Sequence, residues 1–171
     1  MCVKKETGQS GYTFGVEELT PSEAEEFFFY VEIRYHNDGE LFMRGRREMK
    51  TFVLLGAINA FLSVALGAFG AHGLEGKIPG HYLEVWKTGV QYQMFHALGL
   101  LAVGLLLGKF PNVGLLTTAG WIMFIGIVLF SGSLYVLSVT QIKPLGMITP
   151  FGGVSFLIAW ALIGYAAVKA L

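Results

Sequence analysis

The sequence is poor in cysteine and in charged residues, and each shortage excludes a class of protein. Cys2 is the single cysteine, so the chain can form no internal disulfide and no cysteine-based metal site. Charged residues make up 14% of the chain, whereas a soluble domain carries roughly 25%. From Met49 onward the basic residues are scattered singly, so nothing there indicates nucleic-acid binding. The shortage of charge indicates that lipid, rather than water, surrounds much of the protein.

The few charges are also unevenly distributed. Of the 12 acidic residues, only Glu75 and Glu84 lie after residue 48. Residues 1–48 are acidic and lack a long apolar core, so we identify no secretory signal peptide among them. The first apolar stretch is therefore expected to act as its own insertion signal.

Four long stretches carry no Asp, Glu, Lys or Arg. Each is close to or above the roughly 20 residues that an α-helix needs to cross about 30 Å of hydrocarbon. Stretches that are apolar on every side are typical of membrane spans rather than of amphipathic surface helices. Short connections make neighbouring spans antiparallel. We therefore predict an all-α membrane protein, a four-span up-down transmembrane helix bundle in residues 49–171, with spans at about 52–71, 89–107, 115–139 and 145–168.

Two interpretations of the acidic N-terminal extension, residues 1–48, stay open. It is either a disordered tail, with a short strand at Phe27–Tyr35, or the product of a mis-assigned gene start. Residues 45–48 can all be encoded by purine-only codons, as in a bacterial ribosome-binding site. Met49 and the apolar run that follows are a normal opening for a bacterial membrane protein. The codon argument favours Met49 as the true start.

Small residues recur at spacings of three and four along the first span. Apolar side chains alone do not drive helices together in lipid, whereas small residues let two backbones approach closely. The second span has a similar pair in Gly104 and Gly108. We predict that these positions form helix-packing surfaces; in the first span they are Gly56, Ala60, Ser63, Gly67 and Ala71.

The polar residues inside the spans are the best candidates for a site. His96 lies about seven residues inside the second span, or roughly 10 Å deep at 1.5 Å per residue. A charged imidazolium is costly at that depth, so we expect a neutral ring that is hydrogen-bonded to Ser131 or Tyr135. Interhelical hydrogen bonds average only ~0.6 kcal/mol, so such a seam serves either as structural glue or as a site for cargo, an ion or a proton. The predicted intramembrane polar seam lies between spans two and three and comprises Gln93, His96, Ser131, Tyr135 and Ser138.

The connection between spans one and two contains two pairs of histidine and glutamate. His72 pairs with Glu75, and His81 pairs with Glu84, each at a spacing of three. Imidazole and carboxylate groups bind divalent metals, so these four residues are a candidate loop metal site. Because this spacing is common by chance, we predict no bound metal and no cofactor. Trp86 is expected to be an anchor at the membrane interface.

Several segments resemble a known family of small multi-pass membrane proteins, called domain of unknown function 423 or uncharacterised protein family 0382. The resemblance covers about residues 49–171, and residues 1–48 have no counterpart in the family pattern. It implies a bacterial cell-membrane protein of about four spans, and it implies no activity, because the role of the family is unassigned. The segments that carry it are residues 67–74 (GAFGAHGL), 86–92 (WKTGVQY), 96–98 (HAL), 130–135 (FSGSLY) and 149–153 (TPFGG).

Two function hypotheses follow. The first is a small accessory or binding protein of the bacterial cell membrane, embedded in the lipid bilayer as a homo-oligomer or beside a larger membrane partner. The second is an oligomeric transporter or channel for a small solute, in which ion coupling would depend on His96 alone. No nucleophile is paired with a base and an orienting acid, so we do not predict an enzyme. Counting the basic residues near the span ends favours cytoplasmic termini.

Overall fold

The computed structural model describes residues 4–6, 13–15 and 20–169. The chain divides into two compact units, Met1–Leu41 and Phe42–Leu171. In the first unit, strand β1 (Lys4–Glu6) pairs in antiparallel register with strand β2 (Thr13–Gly15).

The first helix, α1, runs from Pro21 to Phe69 and continues from the first unit into the second. Proline at the first helical position has a φ angle that suits a helix and lacks only an N–H that would have no helical partner. No proline follows within the helix. The predicted strand at Phe27–Tyr35 is therefore wrong, because these residues belong to α1.

The second unit contains four helices that are long and apolar enough to cross a membrane, as the sequence predicted. The first is the part of α1 that begins at Met43 together with a π-helical turn, Gly70–Leu74. Helix α2 (Gly80–Lys109) and helix α3 (Gly114–Thr140) follow, and α4 (Thr149–Lys169) comes after a 3₁₀ turn, Lys143–Met147. Helix α3 packs against both α2 and α4.

Helix α2 begins at Gly80, nine residues before the predicted span. Charged side chains interrupt the apolar stretch without interrupting the helix, because Glu84 and Lys87 are exposed and form an ion pair at 2.8 Å. Pro79 precedes the helix, and its carbonyl accepts hydrogen bonds from the N–H groups of Tyr82 and Leu83. The sequence criterion thus located the apolar part of α2 and missed its polar first turns.

The predicted packing surface on α1 faces α2 over most of its length. A Cβ atom added to Gly56 would lie 2.9 Å from the carbonyl oxygen of Ala97. The hydroxyl of Ser63 donates a hydrogen bond to the carbonyl of Val90 at 2.9 Å. Two further glycines, Gly67 and Gly104, also approach the neighbouring helix, near Val90 and Val53.

The remaining predicted packing positions are Gly108, Ala60 and Ala71. A Cβ added to Gly108 of α2 would lie 2.6 Å from the Sδ of Met49, so this glycine also faces α1. Ala60 is half-buried. Ala71 is exposed, so its predicted place in the packing surface is wrong. The reason is the π-helical turn that begins at Gly70, since its wider winding rotates later side chains off the face set by the α-helix.

The apolar core draws on all four helices. Phe52 of α1, Leu100 of α2, Met123 of α3 and Ala159 of α4 are fully buried within it. Helices α3 and α4 approach closely in this core, since a Cβ added to Gly152 would lie 2.5 Å from the backbone nitrogen of Phe130.

Candidate intramembrane site

Three polar side chains form a hydrogen-bonded chain across α1, α2 and α3. The phenol of Tyr135 donates to the Oε1 of Gln93 at 2.6 Å. The Nε2 of Gln93 donates to the Oδ1 of Asn59 at 3.2 Å, and the Nδ2 of Asn59 donates to the carbonyl of Leu55 at 2.8 Å. We call Asn59, Gln93 and Tyr135 the amide–phenol chain. It links three helices through groups that would each be costly to bury alone.

Sequence reasoning placed Gln93 and Tyr135 in the polar seam and missed Asn59. The missed signal was available, because Asn59 is the one amide in the first apolar stretch. It lies three residues after Gly56 and four before Ser63, so the three share a helix face. Asn59 is 7% exposed and faces α2 with them.

The serines of the predicted seam do not bridge α2 and α3. The hydroxyl of Ser138 donates to the carbonyl of Leu134 in its own helix at 2.7 Å. Ser131 is 1% exposed, and its Oγ has no hydrogen-bond partner among the described residues. A third serine, Ser133, bonds to Thr149 at 2.9 Å and so links α3 to α4.

His96 also lies apart from its predicted partners. Its Nδ1 is 2.7 Å from the carbonyl oxygen of Tyr92, four residues earlier in the same helix. The imidazole stacks on Phe156 of α4, with ring centroids 3.4 Å apart and planes 12° apart. The expected bond to Ser131 or Tyr135 is therefore absent among the described hydrogen bonds. The backbone carbonyl of Tyr92 satisfies Nδ1 without a partner on α3.

A groove lies beside His96 and is lined by residues of α2 and α4. Its volume is about 570 Å³. Phe95, Leu98 and Trp160 line it and keep roughly half of their surface exposed, so the groove opens on the outside of the bundle. We call this the α2–α4 groove; its lining residues are Gln91, Tyr92, Phe95, His96, Leu98, Gly99, Ala102 and Trp160.

Trp86 is buried against α1 and α3 and is therefore not the exposed interfacial anchor that the sequence suggested. It is 4% exposed, and its Nε1 donates to the carbonyl of Leu66 at 2.9 Å. Its ring lies 4.6 Å from that of Tyr135 and directly over Gly70. Burial became possible because Gly70 has no side chain in the space that the indole occupies.

The four residues of the candidate loop metal site are all exposed. Glu84 pairs with Lys87, and the ring of His81 lies 5.3 Å from that of Tyr82. Within the described part of the chain, no three His, Cys, Asp or Glu side chains come close enough to hold one metal ion. The structure thus does not bring His72, Glu75, His81 and Glu84 together as a site.

Four apolar helices, an enclosed amide–phenol chain and a groove on the outer surface define a small multi-pass membrane protein. The chain belongs to the family described as protein of unknown function (DUF423), whose model matches residues 66–153. The resemblance seen in the sequence is therefore confirmed.

Relatives named UPF0382 membrane proteins come from species of Bacillus and Staphylococcus. The UPF0382 membrane protein YwdK of Bacillus subtilis (strain 168) is 68% identical over 123 residues, which cover 72% of this chain and 100% of that protein. A UPF0382 membrane protein of Staphylococcus aureus (strain bovine RF122 / ET3-1) is 54% identical over 122 residues, or 71% of this chain and 98% of the relative. No solved structure matches the chain.

Proposed function

We propose that this protein is a small binding or accessory protein of the bacterial cell membrane, and that its α2–α4 groove holds a membrane-soluble molecule. The observation that carries the proposal is the position of His96. An imidazole inside a membrane span lines a cavity that is otherwise mainly apolar. Burying a polar side chain at membrane depth costs free energy, and such residues usually face a binding partner or the path of a transported ion or solute.

Hydrogen bonding between helices explains why the amide–phenol chain lies in the bundle, and it does not explain why His96 does. The only described hydrogen bond of that imidazole is to Tyr92 in its own helix, so it joins no two helices by hydrogen bonding. Its stacking on Phe156 could be supplied equally by a phenylalanine ring. The ring nitrogens are therefore better explained by a ligand than by packing.

The groove suits binding better than catalysis or solute transport. The described residues that line it include no carboxylate, thiol or serine hydroxyl. Its volume falls within the roughly 300–1,000 Å³ range of small-molecule sites. Because it opens on the surface that lipid surrounds, a ligand would enter from the bilayer rather than through the bundle.

The experiment is mass spectrometry of molecules that stay bound when the full chain is purified in lipid nanodiscs. Ala102 lines the groove and is exposed, so Ala102→Phe should fill the groove without disturbing the core. Ala65→Phe adds the same ring to an exposed position of α1 and is the matched control. We expect a ligand at near one-to-one ratio that Ala102→Phe loses and Ala65→Phe keeps.

Equal retention by both variants would contradict the proposal. An oligomer that carries a water-soluble solute would instead support the transporter hypothesis and overturn the binding role. A stoichiometric protein partner together with an empty groove would support an accessory role without a ligand, and would overturn the assignment of the groove.

A further inference from the structure

The hydrogen bond of His96 to its own helix fixes which ring nitrogen is free. The carbonyl oxygen of Tyr92 can only accept a hydrogen bond, so Nδ1 of His96 carries a proton and donates. In the neutral ring expected at this depth, Nε2 is then unprotonated and can only accept. The one hydrogen bond that the described residues give this ring is at Nδ1, so Nε2 is left without a partner among them. Because His96 lines the groove, we infer that this free acceptor is available to a ligand there.

This arrangement restricts the polarity of a ligand. None of the described residues that line the groove is a Lys, Arg, Asp or Glu, so a charged group would find no counter-ion there. A ketone or an ester could accept from the donors of Gln91, Tyr92 or Trp160, which also line the groove, but it could form no hydrogen bond with Nε2 of His96. The ligand that suits Nε2 is therefore neutral and carries an O–H or N–H donor.

The shape of the groove restricts the ligand further. Tyr92, Phe95 and Trp160 line it with aromatic rings, and His96 adds a fourth flat ring. Aromatic side chains pack well against a flat ligand through offset or edge contacts. A flexible acyl chain would also lose conformational freedom on binding, whereas a planar ring has little to lose.

We propose that the groove binds a lipophilic hydroquinone, that is, a neutral membrane-soluble molecule whose aromatic ring carries hydroxyl groups, one of which donates to the Nε2 of His96. This inference rests on the proposed binding function and names the class of its ligand. The contact selects the reduced form, because a hydroquinone hydroxyl can donate whereas a quinone carbonyl cannot. It involves binding alone and requires no electron transfer in this chain.

The test compares three probes against the full chain in nanodiscs under anaerobic conditions, with affinity measured by isothermal titration calorimetry. The probes are a decyl-substituted hydroquinone, the corresponding quinone and the hydroquinone dimethyl ether. We expect the hydroquinone to bind at least tenfold more tightly than the other two, because only it can donate to His96.

Two variants locate the effect. His96→Phe keeps a flat ring on Phe156 and removes the acceptor, so the three probes should bind with nearly equal affinity. His81→Phe changes an exposed histidine outside the groove and should keep the tenfold preference. If His96→Phe does not fold, the comparison of the three probes on the unmodified chain still decides the matter.

The outcomes distinguish this inference from the proposed function. Equal binding of hydroquinone and dimethyl ether by the unmodified chain would overturn the inference, as would a persistent preference in His96→Phe. Tighter binding of dioctanoylglycerol than of hydroquinone would also overturn the ligand class, while leaving the groove as a binding site. The proposed function itself is overturned by the separate outcomes given above for Ala102→Phe and Ala65→Phe, and by none of the three-probe comparisons.

Discussion

Gln93 uses both ends of one amide to connect two other helices. Its oxygen accepts from the phenol of Tyr135, and its nitrogen donates to Asn59. The amide is 4% exposed, so neither end has water as a substitute partner. Removing one member of the amide–phenol chain would therefore leave a buried polar group without a partner, which costs free energy.

Tyr135→Phe is expected to destabilise the bundle. It removes the donor to Gln93 while keeping the ring that lies against Trp86. The loss should be about 0.5–1.5 kcal/mol, the range for one hydrogen bond. Unfolding measured in detergent checks the value. The control is Tyr165→Phe, at a half-exposed tyrosine of α4, which should leave the free energy of unfolding unchanged. If Tyr135→Phe is as stable as this control, the account is contradicted.

The role of His96 could be predicted from the sequence only in part. Its depth and its neutrality follow from its position in an apolar stretch. Its partner depends on how α2 is rotated, and that rotation follows from contacts such as Gly56 with Leu101. Ser131 and Tyr135 have the right depth for a partner, yet the ring lies against Phe156 instead.

Helices α3 and α4 approach each other closely at Gly152. A Cβ at Gly152 would meet the backbone of Phe130, which cannot move aside as a flexible side chain can. Gly152→Ala should therefore push the helices apart and destabilise the protein by roughly 1–3 kcal/mol.

The adjacent glycine supplies the control for that change. A Cβ at Gly153 would be 3.8 Å from the ring of Phe130, an ordinary contact distance. Gly153→Ala should be neutral or slightly stabilising, because alanine favours a helix more than glycine does. The two variants are compared by thermal unfolding in the same detergent, and equal stabilities would show that the close approach of α3 and α4 is not required.

The sequence predicted the number and order of the apolar helices, because their length and lack of charge are sufficient evidence. It did not predict that α2 starts at Gly80, since charged residues there point outward and leave the helix intact. It also missed the π-helical turn at Gly70, which no residue pattern in this segment specifies. The ends of a helix depend on whether its side chains face solvent or the bundle, and that is fixed by tertiary packing.

At the scale of the whole molecule, a chain that starts at Met49 is predicted to insert and fold normally. Such a chain keeps Met49 itself, whose atoms lie beside Gly104 and Gly108 of α2. The Bacillus subtilis relative matches over 123 residues, the same length as residues 49–171. Membrane insertion and thermal unfolding of residues 49–171, compared with the full chain, check this prediction, and a shorter chain that fails to insert or unfolds at a clearly lower temperature would contradict it.

The orientation in the membrane is predicted from basic residues near the span ends. With the extension, six lie on the N-terminal side of the bundle and three on the other, which favours cytoplasmic termini. From Met49 onward the count is three against three, so the preference should weaken. Reporter fusions after Leu171 measure it for both chain lengths, and an external readout from the longer chain would refute the prediction.

The central claim is that His96 presents an unprotonated Nε2 to the α2–α4 groove. The most direct measurement is ¹⁵N NMR of the histidine rings in the full chain in nanodiscs, with His96→Phe used to assign the signal. The account predicts a neutral ring protonated at Nδ1, whose Nε2 signal shifts when the decyl-substituted hydroquinone is added and stays unchanged with its dimethyl ether. A ring protonated at Nε2, or an Nε2 signal that neither probe moves, would contradict the account.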